Sequence, residues 1–167
     1  PIRTPDPRRP QQINRSFAFG NLLALHMLDT RVIARDRQME YANYFGSDGS
    51  FDGVRFAADL ADTDRQLLGA EQLLWLQQQL SGSAATWQML GQQVLMGRMN
   101  IPAPLVLGQI SFSAYSALVY KAQTAPATLT PQEQFILAKP AIPYNLDAWA
   151  GYAMAREMVL GMAKTLD

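Results

Sequence analysis

The chain reads as an α/β protein with few strands and several packing helices, incomplete alone. Three observations predict this. An apolar run (LLALHML, residues 22–28), an amphipathic stretch (LLGAEQLLWLQQQL, 67–80) and a second apolar run (TWQMLGQQVLM, 86–96) follow one another in the strand, helix, strand order of an α/β unit. At 167 residues and 18.5 kDa the chain suffices for one domain, a single segment over 1–167, which on closing would bury roughly 70% of its unfolded surface. Yet only two good internal strands are visible, and a parallel pair needs neighbours to cover its edges and faces.

The elements follow in order. Residues 1–14 are rich in proline and carry Arg8 and Arg9 side by side, which suits an extended connector. In SFAF the phenylalanines Phe17 and Phe19 alternate, Gly20-Asn21 offers a two-residue turn, and LLALHML then predicts a strand buried on both faces. The switch to Asp29-Thr30-Arg31 marks the exit from a core. RVIARDRQMEYANYF (31–45) is compatible with a helix, whereas GSDGSFDG (46–53) is turn chemistry whose aspartates lack the spacing of an EF-hand calcium loop.

The helix over 67–83 is the clearest: Leu73, Leu76 and Leu80 share a face, Gln77, Gln78 and Gln79 cover much of the rest, and Gly82 follows the end. After the strand of TWQMLGQQVLM, residues 97–108 hold two prolines and read as a loop, and SFSAYSALVYKA reads as a helix. Thr130-Pro131-Gln132-Glu133 is a helix start, and that helix should stop before Pro140. Asp147 is placed to cap a last helix on which Met154, Met158 and Met162 form a core-facing stripe.

Composition narrows the chemistry. Fourteen basic and fourteen acidic residues cancel, so no broad positive field exists to hold a nucleic-acid backbone. No apolar run approaches the ~20 residues that span a bilayer. Without cysteine there is no disulfide, thiolate metal site or thiol nucleophile, and the single histidine, His26, lies between Leu25 and Met27 in an apolar strand, where a hydrogen-bonded core imidazole is expected.

The order of four blocks carries more information than any one of them. SFAFGNLLALHMLDTR, RQLLGAEQLLWLQQQL, TWQMLGQQVLM and NLDAWAGYAMARE together resemble the central part of the alkaline phosphatase D (PhoD-like) metallophosphatases: a hairpin ending in an LDTR-type segment, an LG-x-x-Q-x-x-WL helix, a W-x-x-x-G-[NQ]-Q strand and a W-D-G-Y-x-x-x-R helix. The resemblance implies part of a metallophosphoesterase-like sandwich and a hydrolase acting on phosphate esters, an alkaline phosphatase or phosphodiesterase. It also implies iron and calcium as cofactors, the remainder of the phosphatase chain as partner, and a periplasmic or secreted location.

More distant metallophosphoesterases place a metal-ligating histidine where Gln92 stands here, and PhoD-like proteins an amide. The family's GD-x-x-Y, DDHE and GD-x-H type metal motifs are absent from this sequence, so the resemblance puts the metals mainly on residues outside the segment. Ala150 replaces the aspartate of the W-D-G-Y block, and the role of that aspartate is missing with it. The alternative is a non-catalytic metallophosphoesterase-like remnant or interaction module without a complete metal site.

Four residues are the candidates for the site. Gln92 and Gln93 lie toward the carboxyl end of their strand, where open α/β sheets place ligands, and strand alternation sends their side chains apart. An amide oxygen can bind a hard cation and an amide N–H a phosphoryl oxygen, which makes Gln92 a candidate metal or metal-adjacent residue and Gln93 a candidate for substrate binding; the alternative is an amide that satisfies buried backbone. Arg31 and Arg98 are candidates to clamp a phosphate ester bidentately, with Arg31 alternatively pairing with Asp29 or with a helix carboxylate. Trp149 and Tyr152 share a helix face and are expected to pack.

Overall fold

The structure, a computed structural model, describes residues 13–164. Of the predicted connector over 1–14, all but Ile13 and Asn14 lies outside the described residues. The chain forms two compact units, one running to Gly97 and resuming at Leu146, the other Arg98–Asn145.

The first unit is built on a three-stranded sheet. Strands β1 (Arg15–Phe19) and β2 (Leu23–Met27) form the predicted antiparallel hairpin, turning at Gly20 with φ +56°, a conformation that glycine adopts without steric cost. Strand β3 (Trp87–Gly91) pairs with β2 in parallel, Leu23 opposite Trp87 and Met27 opposite Gly91. The sheet order is therefore β1-β2-β3, and helix α2 (Gly69–Ser81) makes the crossover between the parallel strands.

Beneath one sheet face lies the core: Leu28, Leu67, Leu68, Leu76, Leu80, Trp149, Tyr152 and Val159 are all nearly or wholly buried. Each large apolar side chain buried this way contributes about 1.5–3 kcal/mol. Along the last helix, α6 (Ala153–Lys164), the buried positions are Ala155 and Val159, while Met154, Met158 and Met162 are only half-buried. The methionine stripe thus borders the core, with Met162 packed against it, and smaller residues make the closest approach.

Three expectations change. β2 is not buried on both faces: Ala24 and His26 are buried, but Leu23, Leu25 and Met27 are half-exposed. Residues 31–45 form no long helix; the Asp29 carboxylate captures the N–H groups of Arg31 and Val32, and Asp36 N–H donates to Gln66 O, which ties the segment to another stretch of chain. Only Tyr41–Tyr44 is helical, as a 3-10 turn. Instead a helix starts where the glycine-rich loop ends: α1 (Gly53–Leu60) is capped by Asp52, whose side chain accepts from Arg55 N–H. Its Phe56 stacks on Tyr41, meets Tyr44 edge-on and lies tilted against Phe51 in a small aromatic cluster.

The second unit contains β4 (Asn100–Pro102) paired antiparallel with β5 (Ala141–Pro143), the short helix α3 (Ala103–Val106), α4 (Phe112–Thr124) and α5 (Pro131–Leu137). α5 begins as predicted: Thr130 and Glu133 form a reciprocal capping box with Pro131 in the first turn. Glu133 also pairs with Lys121 of α4 at 2.7 Å, so one side chain both caps its own helix and ties it to the preceding one. The two short strands replace the predicted loop and the stretch before Asn145.

Candidate functional site

The site is assembled around the carboxyl end of β2. Hydrogen bonding of the parallel pair continues one residue past the strand, Leu28 N–H donating to Gly91 O at 2.8 Å. β3 then ends, and two glutamine side chains take over its role.

Gln93 Nε2 donates to Leu28 O at 3.0 Å, and Gln93 Oε1 accepts from Thr30 N–H at 3.0 Å and from Thr30 Oγ1 at 2.6 Å. Bonding residues on either side of Asp29 is the pattern a parallel neighbour makes with backbone, here made by a side-chain amide. From α2, Gln72 Oε1 accepts from Asp29 N–H at 2.7 Å and Gln72 Nε2 donates to Asp29 O at 2.8 Å, a reciprocal pair like that of antiparallel backbone. Asp29 and Thr30 are 1% and 0% exposed, so backbone groups that would otherwise lose water without compensation are paired from both sides.

The chain beyond this bracket turns sharply. Asp29 Oδ1 accepts the N–H groups of Arg31 and Val32, each at 2.9 Å, which fixes where Arg31 leaves the core. Asp29 Oδ2 and Arg65 Nε are buried without a partner among the described residues.

Arg31 and Arg35 meet on one carboxylate. Arg31 Nη1 lies 2.8 and 2.7 Å from Asp147 Oδ1 and Oδ2. Arg35 Nη2 lies 2.6 Å from Asp147 Oδ1 and 2.8 Å from Asp147 O, and Arg35 Nη1 donates to Thr30 O. The Arg35 guanidinium also lies 4.9 Å from the Tyr152 ring centre, as does that of Arg65. Tyr152 donates to Asp36 O at 2.7 Å, and burial holds its phenol above the usual range against the opposing pull of the two arginines. Asp147 thus serves arginines from across the unit rather than a helix end; the chain after it makes a 3-10 turn at Trp149–Gly151 before α6 starts. Gly151 is required there, because a Cβ would collide with Leu146 O.

Gln92 lies past the end of β3 at Gly91, outside the strand predicted to run on to Met96, and bonds a different partner from Gln93. Its Oε1 accepts from Trp149 Nε1 at 2.5 Å, joining the end of β3 to the turn that follows Asp147. Trp149 is fully buried, so its indole N–H needs this acceptor. Arg31, Gln92 and Gln93 therefore share one end of the β2–β3 pair, whereas Arg98 belongs to the second unit, where it is exposed. His26 is the expected core imidazole: Nε2 donates to Gln88 Oε1, Nδ1 shares a hydrogen bond with Ser16 Oγ, and the ring meets Trp75 edge-on.

Two contributors are given no site role in the sequence reading, although Gln72 is the fixed glutamine of the LG-x-x-Q-x-x-WL block. Gln72 stands in line with Leu76 and Leu80 on the buried face of α2, and a polar residue on an apolar stripe is a readable signal. Arg35 follows Arg31 by four residues but shares its carboxylate only through the fold. Among the described residues no three His, Cys, Asp or Glu side chains gather to hold a metal ion, and the oxygen of Gln92 is engaged by Trp149. The described residues do not by themselves fit an iron or calcium centre.

A family profile described as PhoD-like phosphatase matches residues 1–167. The chain belongs to the PhoD-like phosphatases. It is similar to alkaline phosphatase D of Bacillus subtilis (strain 168), with 27% identity over 154 residues that make up 92% of this chain and 19% of the relative. It is also similar to a solved structure of PhoD, with 28% identity and a TM-score of 0.57 over 98% of this chain and 23% of that one. The chain thus spans about a fifth of the length of the curated relative it matches. Its mixed α/β architecture, few strands with several helices, is part of that metallophosphoesterase-like fold.

Proposed function

We propose that this PhoD-like segment is the central part of a longer metal-dependent phosphatase or phosphodiesterase that hydrolyses phosphate esters and acts in the periplasm or as a secreted enzyme. Supporting the longer chain is the bare sheet face formed by Phe19, Trp87 and Met89, exposed by 56%, 65% and 54% respectively. In this reading the remainder of the phosphatase supplies the cover and the residues that hold iron and calcium.

The observation that carries a phosphate-binding role is the position of Arg31, at the carboxyl end of a parallel strand, half-exposed, with a guanidinium suited to a bidentate phosphoryl contact. In this reading Gln92 and Gln93, at the same end of the β2–β3 pair, form the rim of the site, Gln92 toward the metals and Gln93 toward the ester, and Arg98 is a further cationic candidate. The deciding experiment measures hydrolysis of p-nitrophenyl phosphate and its bis-ester by the longer chain and by this segment, with iron and calcium added. Activity in the longer chain, none in the segment, and a fall on Gln92→Ala in the longer chain is the expected result. An inactive longer chain, or flanking coding sequence without carboxylate- and histidine-bearing metal motifs, would overturn the enzyme reading in favour of a non-catalytic module. Ala150, standing where an aspartate is expected, is the feature of the segment that favours that second reading.

A further inference from the structure

The Asp147 carboxylate contacts Arg31 in a way that leaves a particular part of the guanidinium open. Both carboxylate oxygens meet Arg31 through one nitrogen, Nη1. Among the described residues Nε and Nη2 of Arg31 make no hydrogen bond, and the side chain is 44% exposed. These two nitrogens form one edge of the planar group, with parallel N–H vectors that match two oxygens of a phosphoryl group. An exposed arginine that merely neutralised Asp147 would gain most by presenting such an edge to the carboxylate itself.

Asp147 is fixed from behind. Arg35, 11% exposed, donates to its carboxylate and to its backbone oxygen, and lies against Tyr152, whose other neighbour is Arg65. On the near side, Asp29 Oδ1 holds the backbone N–H of Arg31. Main chain and side-chain tip are thus both anchored, which restricts a long side chain that would otherwise lose its rotamer freedom on binding.

We infer that Asp147 is a positioning residue: it grips Arg31 by Nη1 and so presents the Nε/Nη2 edge, already ordered, to a phosphoryl group or to inorganic phosphate. The inference rests on the reading of Arg31 as a phosphate ligand. Two effects of Asp147 oppose each other, and their signs differ. As a negative charge it weakens anion binding, and as a brace it strengthens it; positioning requires that the brace wins.

The test uses the longer phosphatase chain with p-nitrophenyl phosphate as substrate and inorganic phosphate as competing inhibitor. Arg31→Ala tests the underlying reading and is expected to raise KM and the phosphate inhibition constant roughly 10- to 100-fold, as for loss of a charge-assisted bidentate contact. Asp147→Asn should raise both roughly 3- to 10-fold with kcat within about two-fold, and the double variant should be no worse than Arg31→Ala, because Asp147 acts through Arg31. Asp147→Glu, which keeps the charge but moves the grip, should fall between wild type and Asn, and supplies the readout if the Asn variant does not fold. Tighter phosphate binding by Asp147→Asn, effects that add in the double variant, or an unchanged KM in Asp147→Glu would overturn the positioning role. An unchanged KM in Arg31→Ala would instead remove the phosphate-ligand reading on which it stands.

Discussion

The two faces of the β1-β2-β3 sheet differ in composition and meet different fates. One face carries Ala24 and His26, buried toward α2: His26 meets Trp75, and Gln88 Nε2 donates to Leu80 O. The opposite face carries Phe17, Phe19, Leu23, Leu25, Met27, Trp87 and Met89, placed in register by strand pairing, and its outer members are more than half exposed. An antiparallel hairpin with a solvated face should alternate apolar with polar. Here the mixed face, with Ser16, Ala18, Ala24, His26, Gln88 and Leu90, is the one that turns toward α2, and the bare face is the more apolar of the two, with the composition of an interior.

The largest test of that contrast is to put a charge on the bare face. Met89→Asp in the longer phosphatase chain should lower unfolding stability by about 3–5 kcal/mol, the cost of a buried unpaired charge. In the segment alone the same change should stay within about 0.5 kcal/mol, as for a surface position, or improve solubility. Urea unfolding of both chains decides it; equal, small effects in the two would mean that the face stays bare and that the longer-chain reading loses its main structural support.

On the covered side, Leu76 is wholly buried in the core shared by α2, the sheet and α6. Leu76→Ala should cost about 2–5 kcal/mol, whereas Phe19→Ala on the bare side should cost far less in the segment, although it removes more surface. A reversal of that order would abolish the distinction between the faces.

At the end of the sheet the covered side depends on amides. Gln72→Leu preserves volume and removes both partners of Asp29, leaving a buried N–H and C=O that each cost about 1–3 kcal/mol when unsatisfied. Gln93→Leu removes an equivalent bracket from the exposed side, where water can replace it, and should cost about half as much. Denaturant midpoints for the two variants measure the asymmetry directly.

What could be read in advance divides along the same physical line. The hairpin, the Leu73-Leu76-Leu80 helix and the Thr130 capping box are local: their determinants lie within a few residues, in periodicity, turn chemistry and cap spacing. The family resemblance extended that reading to the architecture. The joining of Gln92 to Trp149 and of Arg35 to Asp147 runs across sequence separations of 57 and 112 residues, and local pattern carries no information about such pairs. The helix at Gly53–Leu60 is a different case. Asp52 is a plain N-cap, but the glycines and aspartates before it support a loop equally well, and the apolar anchor that decides the matter, Phe56, becomes informative only when Tyr41, Tyr44 and Phe51 surround it.

That aromatic cluster belongs to neither sheet face and supplies the smallest test. Burial, together with the hydrogen bond that Tyr44 donates to Asp59, pushes the Tyr44 phenol up to about 12. Because the folded value lies above the unfolded value of about 10, the protonated phenol stabilises the fold at full strength below about pH 10, and that contribution is lost as pH rises toward 12. Tyr44→Phe removes the titrating group at a cost of about 1 kcal/mol at neutral pH, the net worth of one hydrogen bond. Alkaline titration, followed by tyrosinate absorbance and by circular dichroism, should show the cluster yielding before the sheet in the wild type, with the late tyrosine amplitude smaller by one group in the variant, since Tyr41 and Tyr152 are also raised by burial. If the sheet signal fell together with the Tyr44 step, the cluster and the covered face would form one cooperative unit, and the contrast would lie between the bare face and everything else.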